Sequence, residues 1–259
     1  MQGQLAKRKD PKHQKSGRTT SLLDVVASRL RDLFGVPQRK RRLPDPLELL
    51  IATVLSQNTN DVNSHKAYVN LKSKYPHFLD LAGAKPGEIV RLIKVGGIAN
   101  KKSRTIINVV REIRKSFPHF DRKSLISEER NSLIDRLREL NGVGYKTASC
   151  LSLFALGDDD AFPVDTHVHR VLNRIGIVRE KTPDKTYLAV RDFIPPGRGY
   201  EIHINLIRFG RKVCTAQRPK CYDCVIFDVC GWKEKCLDPP DEITSVDESK
   251  VRFMLLEKV

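Results

Sequence analysis

The chain has 259 residues, enough for one large core or two modest ones, and 47 Lys and Arg against 31 Asp and Glu leave it at a formal charge of +16. That excess favours a polyanionic partner, because each phosphate contact releases condensed counterions, although ribosomal proteins and some heat-stable surfaces carry comparable charge. No run approaches the roughly 20 apolar residues that span a bilayer, and the amino end has no apolar leader core, so the sequence reads as neither membrane-spanning nor secreted. An intracellular place is expected: cytoplasm and nucleoid in a prokaryote, nucleus in a eukaryote.

Residues 1–20 hold six basic side chains and one acid among Gln, Gly, Ser and Thr, and read as a disordered basic tail. Ser21 with Asp24 is a helix-start signal, after which Leu22, Leu23, Val26, Leu30, Leu33 and Phe34 share a face until Gly35. Arg39-Lys40-Arg41-Arg42 reads as a charged loop. Asp45-Pro46 is a cap and first-turn pair for a helix to about Gln57. Asp61 is expected to cap another toward Tyr75, and Pro86-Gly87-Glu88 opens one toward Lys94. Asn100 to Ser116 carries Ile106, Ile107, Val110 and Ile113 at helical spacing. Helices are further expected at about 131–140, 144–156, 166–176, 183–194 and 199–210. Nothing alternates like a strand, and the connections are short, so the class is all-α. The end of the chain carries acids and prolines after Cys236, with Val251 to Leu256 as its last apolar stretch.

Between two apolar helical stretches lies Leu140-Asn141-Gly142-Val143-Gly144-Tyr145-Lys146-Thr147-Ala148. Glycines permit a tight turn with positive φ, and with no Cβ in the way a phosphate can reach the N–H groups at the next helix's start. Val143 can pin such a turn to the core, while Thr147 and Ala148 allow close helix packing. The grip would be on backbone rather than on a base. The plainer alternative is an ordinary connection between two helices.

Lys146 falls in the first turn of the following helix, where the positive dipole end disfavours an ammonium and so suits a nucleophilic amine. The plainer reading is a cation that contacts phosphate. Nineteen residues on stands Phe162-Pro163-Val164-Asp165-Thr166-His167-Val168-His169-Arg170. Asp165 is placed to cap the next helix. A carboxylate there could also offset positive charge on a deoxyribose as its base departs, or accept a proton from an incoming amine or water. His167 and His169 would share a face in a strand, as metal ligands require. The expected helix makes packing or phosphate contact the better reading.

Cys214, Cys221, Cys224 and Cys230 follow the spacing C-x6-C-x2-C-x5-C. Four thiolates this close can wrap one zinc ion or one [4Fe–4S] cube, and the uneven, compact spacing suits the larger body. Two disulfides are the third option, disfavoured in a reducing compartment. Arg218 and Lys220, between the first two cysteines, are either DNA contacts on a stiff loop or ordinary surface charges. Cys150 reads as a core residue, and Cys236 carries no assignment.

The hairpin at 140–148, Pro163-Val164-Asp165-Thr166-His167-Val168 and the four cysteines, in this order, resemble the endonuclease III branch of the helix-hairpin-helix DNA glycosylases over residues 22–236. The resemblance implies a two-lobed helical fold. Residues 21–47 would form an N-terminal helix packing with the cluster domain, 48–158 a six-helix barrel with the hairpin, and 159–236 the helical domain with the cysteine loop. Residues 237–259 would form a C-terminal tail. It implies a monomer acting on double-stranded DNA, with Gly142, Val143 and Gly144 on the phosphate and a [4Fe–4S] cluster on the four cysteines. In that family Lys146 would attack C1′ as Asp165 assists, and β-elimination would cut the strand. The implied activity is a bifunctional glycosylase and abasic-site lyase on oxidised pyrimidines. A mismatch- or uracil-type glycosylase and a non-catalytic DNA-binding module are the alternatives. Lys146 is absent from the adenine-mismatch relatives. Where the family usually has a glutamine filling the gap left by an extruded base, Asn58 stands here with Gln57 one residue earlier. Lys94-Val95-Gly96-Gly97-Ile98 looks like the family's other DNA-facing turn.

Overall fold

The computed structural model describes residues 11–39 and 41–238, with side chains from residue 22. The expectations for residues 1–10, Lys40 and most of the carboxyl-terminal stretch lie outside that range. Every regular element among the described residues is helical: α1 Pro11–Phe34, α2 Pro46–Ser56, α3 Asp61–Lys74, α4 Pro86–Ile93, α5 Ala99–Ser116, α6 Arg122–Ile126, α7 Arg130–Arg138, α8 Tyr145–Cys150, α9 Thr166–Ile175, α10 Pro183–Val190 and α11 Gly199–Lys212. Short 3-10 turns lie at Phe78–Gly83, Lys94–Gly96, Arg191–Phe193 and Cys221–Asp223, and one π-helical stretch continues α8 through Leu151–Leu156.

Local chemistry sets most of the starts. Asp45 caps α2 by accepting from the N–H groups of Leu47 and Glu48, with Pro46 in the first turn. Thr182 caps α10 in the same way through Lys185 N–H. Three expectations need correction. The helix placed at Ser21 begins at Pro11, inside the stretch read as a disordered tail, because a proline's fixed φ suits the first helical position even in a basic, polar segment. Asn60, not Asp61, caps α3, since its side chain reaches Asn63 N–H and Asp61 becomes the first helical residue. Leu33 is 43% exposed, because it lies about 70° round the helix from the stripe of Leu23, Val26, Ala27 and Leu30.

The helices pack in two groups. In one, α3 and α4 pack on each other, α4 packs on α5, and α2 touches α3, α5 and α8. In the other, α11 packs against α1 and α9, and α10 lies on α8 and α9. Helix α8, which touches both α2 and α10, thus sits where the groups meet, with buried Leu140 and Val143 anchoring the turn that joins it to α7. Ionic bonds fasten α1 to the second group: Arg31 pairs with Glu201 through two bonds of 2.9 and 2.6 Å, and Arg29 pairs with Asp228. Glu201 is nearly buried and also accepts from Arg198 at 3.0 Å, and these arginines hold its carboxyl below the usual range against the opposing effect of burial.

Removing a nearly buried carboxylate strands the arginines that surround it. Glu201→Ala is expected to cost about 1–2 kcal/mol, discounted for the exposure of Arg31. The cost should shrink in an Arg31→Ala background, which denaturant titrations of the two single and one double variant would measure.

Candidate catalytic and DNA-binding site

The turn between α7 and α8 is built from successive short-range bonds: Leu140 N–H to Leu137 O at 3.2 Å and Val143 N–H to Leu140 O at 3.0 Å. Asn141 N–H donates to Glu112 of α5, at 2.9 Å. The two glycines differ in purpose. Gly142 has φ +92°, and a Cβ there would lie 2.5 Å from the Thr105 methyl, so both backbone and space demand glycine. Gly144 has an ordinary extended backbone and nothing within 4 Å of the place a Cβ would occupy. Its side faces open space at the start of α8, and no side chain caps that helix. The positive end of α8 is thereby open to an external anion, whereas side chains occupy the starts of α2, α3, α6, α7, α9 and α10.

Lys146 lies half-buried in the first turn of α8. Asp165 stands at the start of α9, where it does cap: one carboxylate oxygen accepts from Val168 N–H at 2.8 Å. A carboxylate has further acceptor capacity, so capping does not use up the group. Lys146 and Asp165 lie on successive helices around one pair of buried groups. The charges of both reach the same two buried groups, the thiol of Cys150 and the imidazole of His203. Cys150 is buried in the core as expected, and burial pushes its thiol up.

His203 was not visible as a site residue in the sequence. It sits in α11 between Ile202 and Ile204, is almost fully buried, and its Nδ1 lies 2.8 Å from the carbonyl of Pro163, two residues before Asp165. Burial pushes its pKa down to about 4, with Asp165 acting against that shift and Lys146 with it. The neutral ring therefore donates Nδ1–H to Pro163 and pins the approach to the α9 cap. His167 and His169 of α9 pack against their neighbours. His169 Nδ1 lies 2.8 Å from Thr186 Oγ1, His167 Nδ1 lies 3.2 Å from Arg170, and burial lowers both imidazoles.

Gln57 ends α2 half-buried, and Asn58 follows it exposed, in a left-handed conformation with φ +50°. Downstream of α11, Cys214, Cys221, Cys224 and Cys230 line one small cavity with Ile175, Phe209, Val213, Ile226 and Trp232. None is in a disulfide. Burial pushes the Cys224 thiol up to about 11, with its three companions adding to the effect. Arg174 of α9 reaches Cys214 Sγ at 3.5 Å and the carbonyls of Thr215 and Ala216 at 2.6 and 3.0 Å. Among the described residues no three His, Cys, Asp or Glu side chains are gathered as for a single metal ion. The two basic residues of the loop part company: Arg218 is exposed at its tip with φ +47°, while Lys220 turns inward and lines the cysteine cavity.

The neutral, buried His203 has a pH signature. Between about 4 and 6.5 the unfolded chain binds the proton that the folded ring refuses, so stability rises with pH across that window and falls as pH drops through it. The loss should approach about 3 kcal/mol by pH 4. Thermal melts from pH 7 to 4 should show this component in the wild type and its absence in His203→Asn.

A family model described as HhH-GPD superfamily base excision DNA repair protein matches residues 51–196. Endonuclease III of Thermotoga maritima is 35% identical over 192 residues, covering 74% of this chain and 85% of that protein. Endonuclease III of Escherichia coli K12 is 31% identical over 222 residues, covering 81% and 95%. A solved structure of a trapped endonuclease III–DNA covalent intermediate superposes with a TM-score of 0.70 at 28% identity, covering 82% of this chain and 95% of that one. With its all-helical architecture, its hairpin and this likeness along most of its length, the chain belongs to the endonuclease III family of the HhH-GPD superfamily and is a base excision repair DNA glycosylase.

Proposed function

We propose that the protein is a bifunctional enzyme that removes an oxidised pyrimidine from duplex DNA and then cuts the strand through a lysine Schiff base. The observation that carries this reading is that Lys146 and Asp165 both act on the buried His203 and Cys150, with Lys146 in the first turn of a helix that no side chain caps. The N–H groups of Gly142, Gly144 and the first turn of α8 hold a backbone phosphate, with little regard to sequence, while Val143 anchors the turn to the core. The glycosidic carbon is inaccessible inside a stacked duplex, so the damaged nucleotide must be extruded, and Gln57 or Asn58 fills the space it leaves. The exposed Arg218 supplies a further phosphate contact, and Lys220, turned toward the cysteines, a weaker one.

In the extruded state the Lys146 amine attacks C1′, the bond from C1′ to the base nitrogen breaks, and the base leaves with that electron pair. The Asp165 carboxylate offsets the positive charge that grows on the sugar and accepts the proton shed by the attacking nitrogen. The C1′–O4′ bond then breaks, O4′ takes the proton that Asp165 carries, and the open sugar is left as an iminium on Lys146, which acidifies the C2′ proton. Loss of that proton expels the 3′ phosphate by β-elimination. His203 takes no part in bond making and holds the Pro163 carbonyl, and with it the entry to Asp165.

The four cysteines fit a [4Fe–4S] cluster: they are free thiols on one apolar-walled cavity, with a guanidinium donor at Cys214 Sγ. Such a cluster would supply rigidity to the loop that carries Arg218. The lobes are proposed to divide as residues 48–158 against residues 21–47 with 159–236.

Borohydride reduction in the presence of abasic duplex DNA is expected to give a covalent adduct with the wild type and none with Lys146→Ala. An adduct that survives that change removes the lysine from the mechanism. Asparagine caps helices as well as aspartate does. Asp165→Asn should therefore melt within about 0.5 kcal/mol of wild type while base excision falls by about a hundredfold or more. A non-catalytic DNA-binding module would show no such loss. The glycines give a third test. Gly142→Ala should lose about 1–3 kcal/mol of stability through strain. Gly144→Ala should keep its melting point and bind DNA several-fold more weakly, as a titration by fluorescence anisotropy would report.

A further inference from the structure

Lys102 heads the largest fully buried side chains among the described residues, with 1% of its surface exposed. Its Nζ donates to two carbonyls, Leu55 O and Gly96 O, each at 2.7 Å. The first belongs to the last turn of α2, where carbonyls lack intrahelical partners and a positive charge is favoured. The second lies in the 3-10 turn Lys94–Gly96 that precedes α5. The ammonium thus bridges the segments that lead directly into two surface turns.

Both turns hold non-glycine residues in the left-handed conformation: Asn58 at φ +50° and Ile98 at φ +40°, each exposed. Such backbone persists only where its surroundings hold it. The turns abut, since a Cβ on Gly97 would lie 3.9 Å from the Asn58 carbonyl. Gly96 also sits tightly against α3, where a Cβ would meet that of Ala67 at 3.2 Å and lie 3.8 Å from Lys102 Nζ. Val95 and Ile98 stand out from this assembly as exposed apolar side chains.

We infer that Lys102 is a positioning residue that locks the Gln57–Asn58 turn to the Val95–Ile98 turn, so that both meet the DNA as one rigid wedge. This rests on the reading that the protein extrudes a base. A wedge acts by replacing stacking that the duplex loses, and it can do so only if its parts keep their spacing when the helix presses on them. A lysine suits the post better than an apolar residue, because two carbonyls must be satisfied in a place water does not reach. Burial lowers the Lys102 pKa to about 8, and an amine that loses its proton there still keeps the two N–H donors those carbonyls use.

The experiment compares duplex and single-stranded abasic DNA in borohydride trapping, since the single strand needs no wedge. Lys102→Met keeps the volume and removes the donors. It is expected to lower the duplex-to-single-strand ratio of trapping rates at least tenfold, with the single-strand rate within about threefold of wild type. Hydrogen exchange should quicken at least tenfold in peptides covering 57–61 and 94–99 while the rest of α5 stays protected. Should the methionine variant fail to fold, Lys102→Gln, with two donors on a shorter stem, is read by the same two measurements. A folded variant whose ratio and local exchange both stay within twofold of wild type overturns the inference. Absence of an adduct from the wild type on either DNA would count against the lysine mechanism instead, and the exchange data would still decide the lock.

Discussion

One hydrogen bond organises the centre of this molecule: the 2.8 Å contact in which Asp165 caps α9 through Val168 N–H. It fixes the carboxylate at the head of a helix whose far end is tied to the cysteine loop. Arg170 reaches the carbonyls of Gly210 and Cys214, and Arg174 reaches Thr215, Ala216 and the Cys214 sulfur while stacking on Trp232. The same helix therefore positions a site carboxylate and braces the loop that would touch DNA. A cap is an economical way to aim a charged group, because the backbone bond restricts its rotamers before any substrate arrives.

The start of α8 follows the opposite logic. Side chains cap the first N–H groups of α2, α3, α6, α7, α9 and α10, whereas α8 begins at a glycine with no capping side chain, and α4, α5 and α11 also start without one. An unfilled helix start is tolerable in water and attractive to phosphate, which is the use proposed for it. Strain is placed in the same economical way. Gly142 carries the positive φ that the turn needs, and Gly144 contributes only the absence of a side chain.

Much of this was legible in the chain order of residue types. The caps at Asp45 and Asp165, the hairpin, and the four clustered cysteines depend on partners within a few residues, so spacing alone carries them. Where local signals compete, reading by type fails by a residue or a turn. Asn60 and Asp61 are both good caps and the side chain that reaches Asn63 decides between them. The tail read as disordered holds a helix from Pro11 because composition describes what a segment lacks, not which backbone it adopts. Short elements such as α6 and the turn Phe78–Gly83 carried too few periodic residues to register.

The sequence by itself determined the helical class, the start of most helices, the glycine turn between α7 and α8 and the spacing of the four cysteines, since each is written in contacts that close within one or two turns of chain. Only the tertiary structure decided that Lys146 and Asp165 lie beside one buried histidine, that Lys220 faces the cysteines, and that Lys102 runs inward. Lys102 shares the helical stripe of Ile106, Val109, Val110 and Ile113, yet a lysine on an apolar stripe reads as an interruption until the carbonyls it serves come from 47 and 6 residues away. His203 meets Pro163 across 40 residues in the same manner. The burial of a polar group depends on what the rest of the fold offers it, and no stretch of chain holds that information locally.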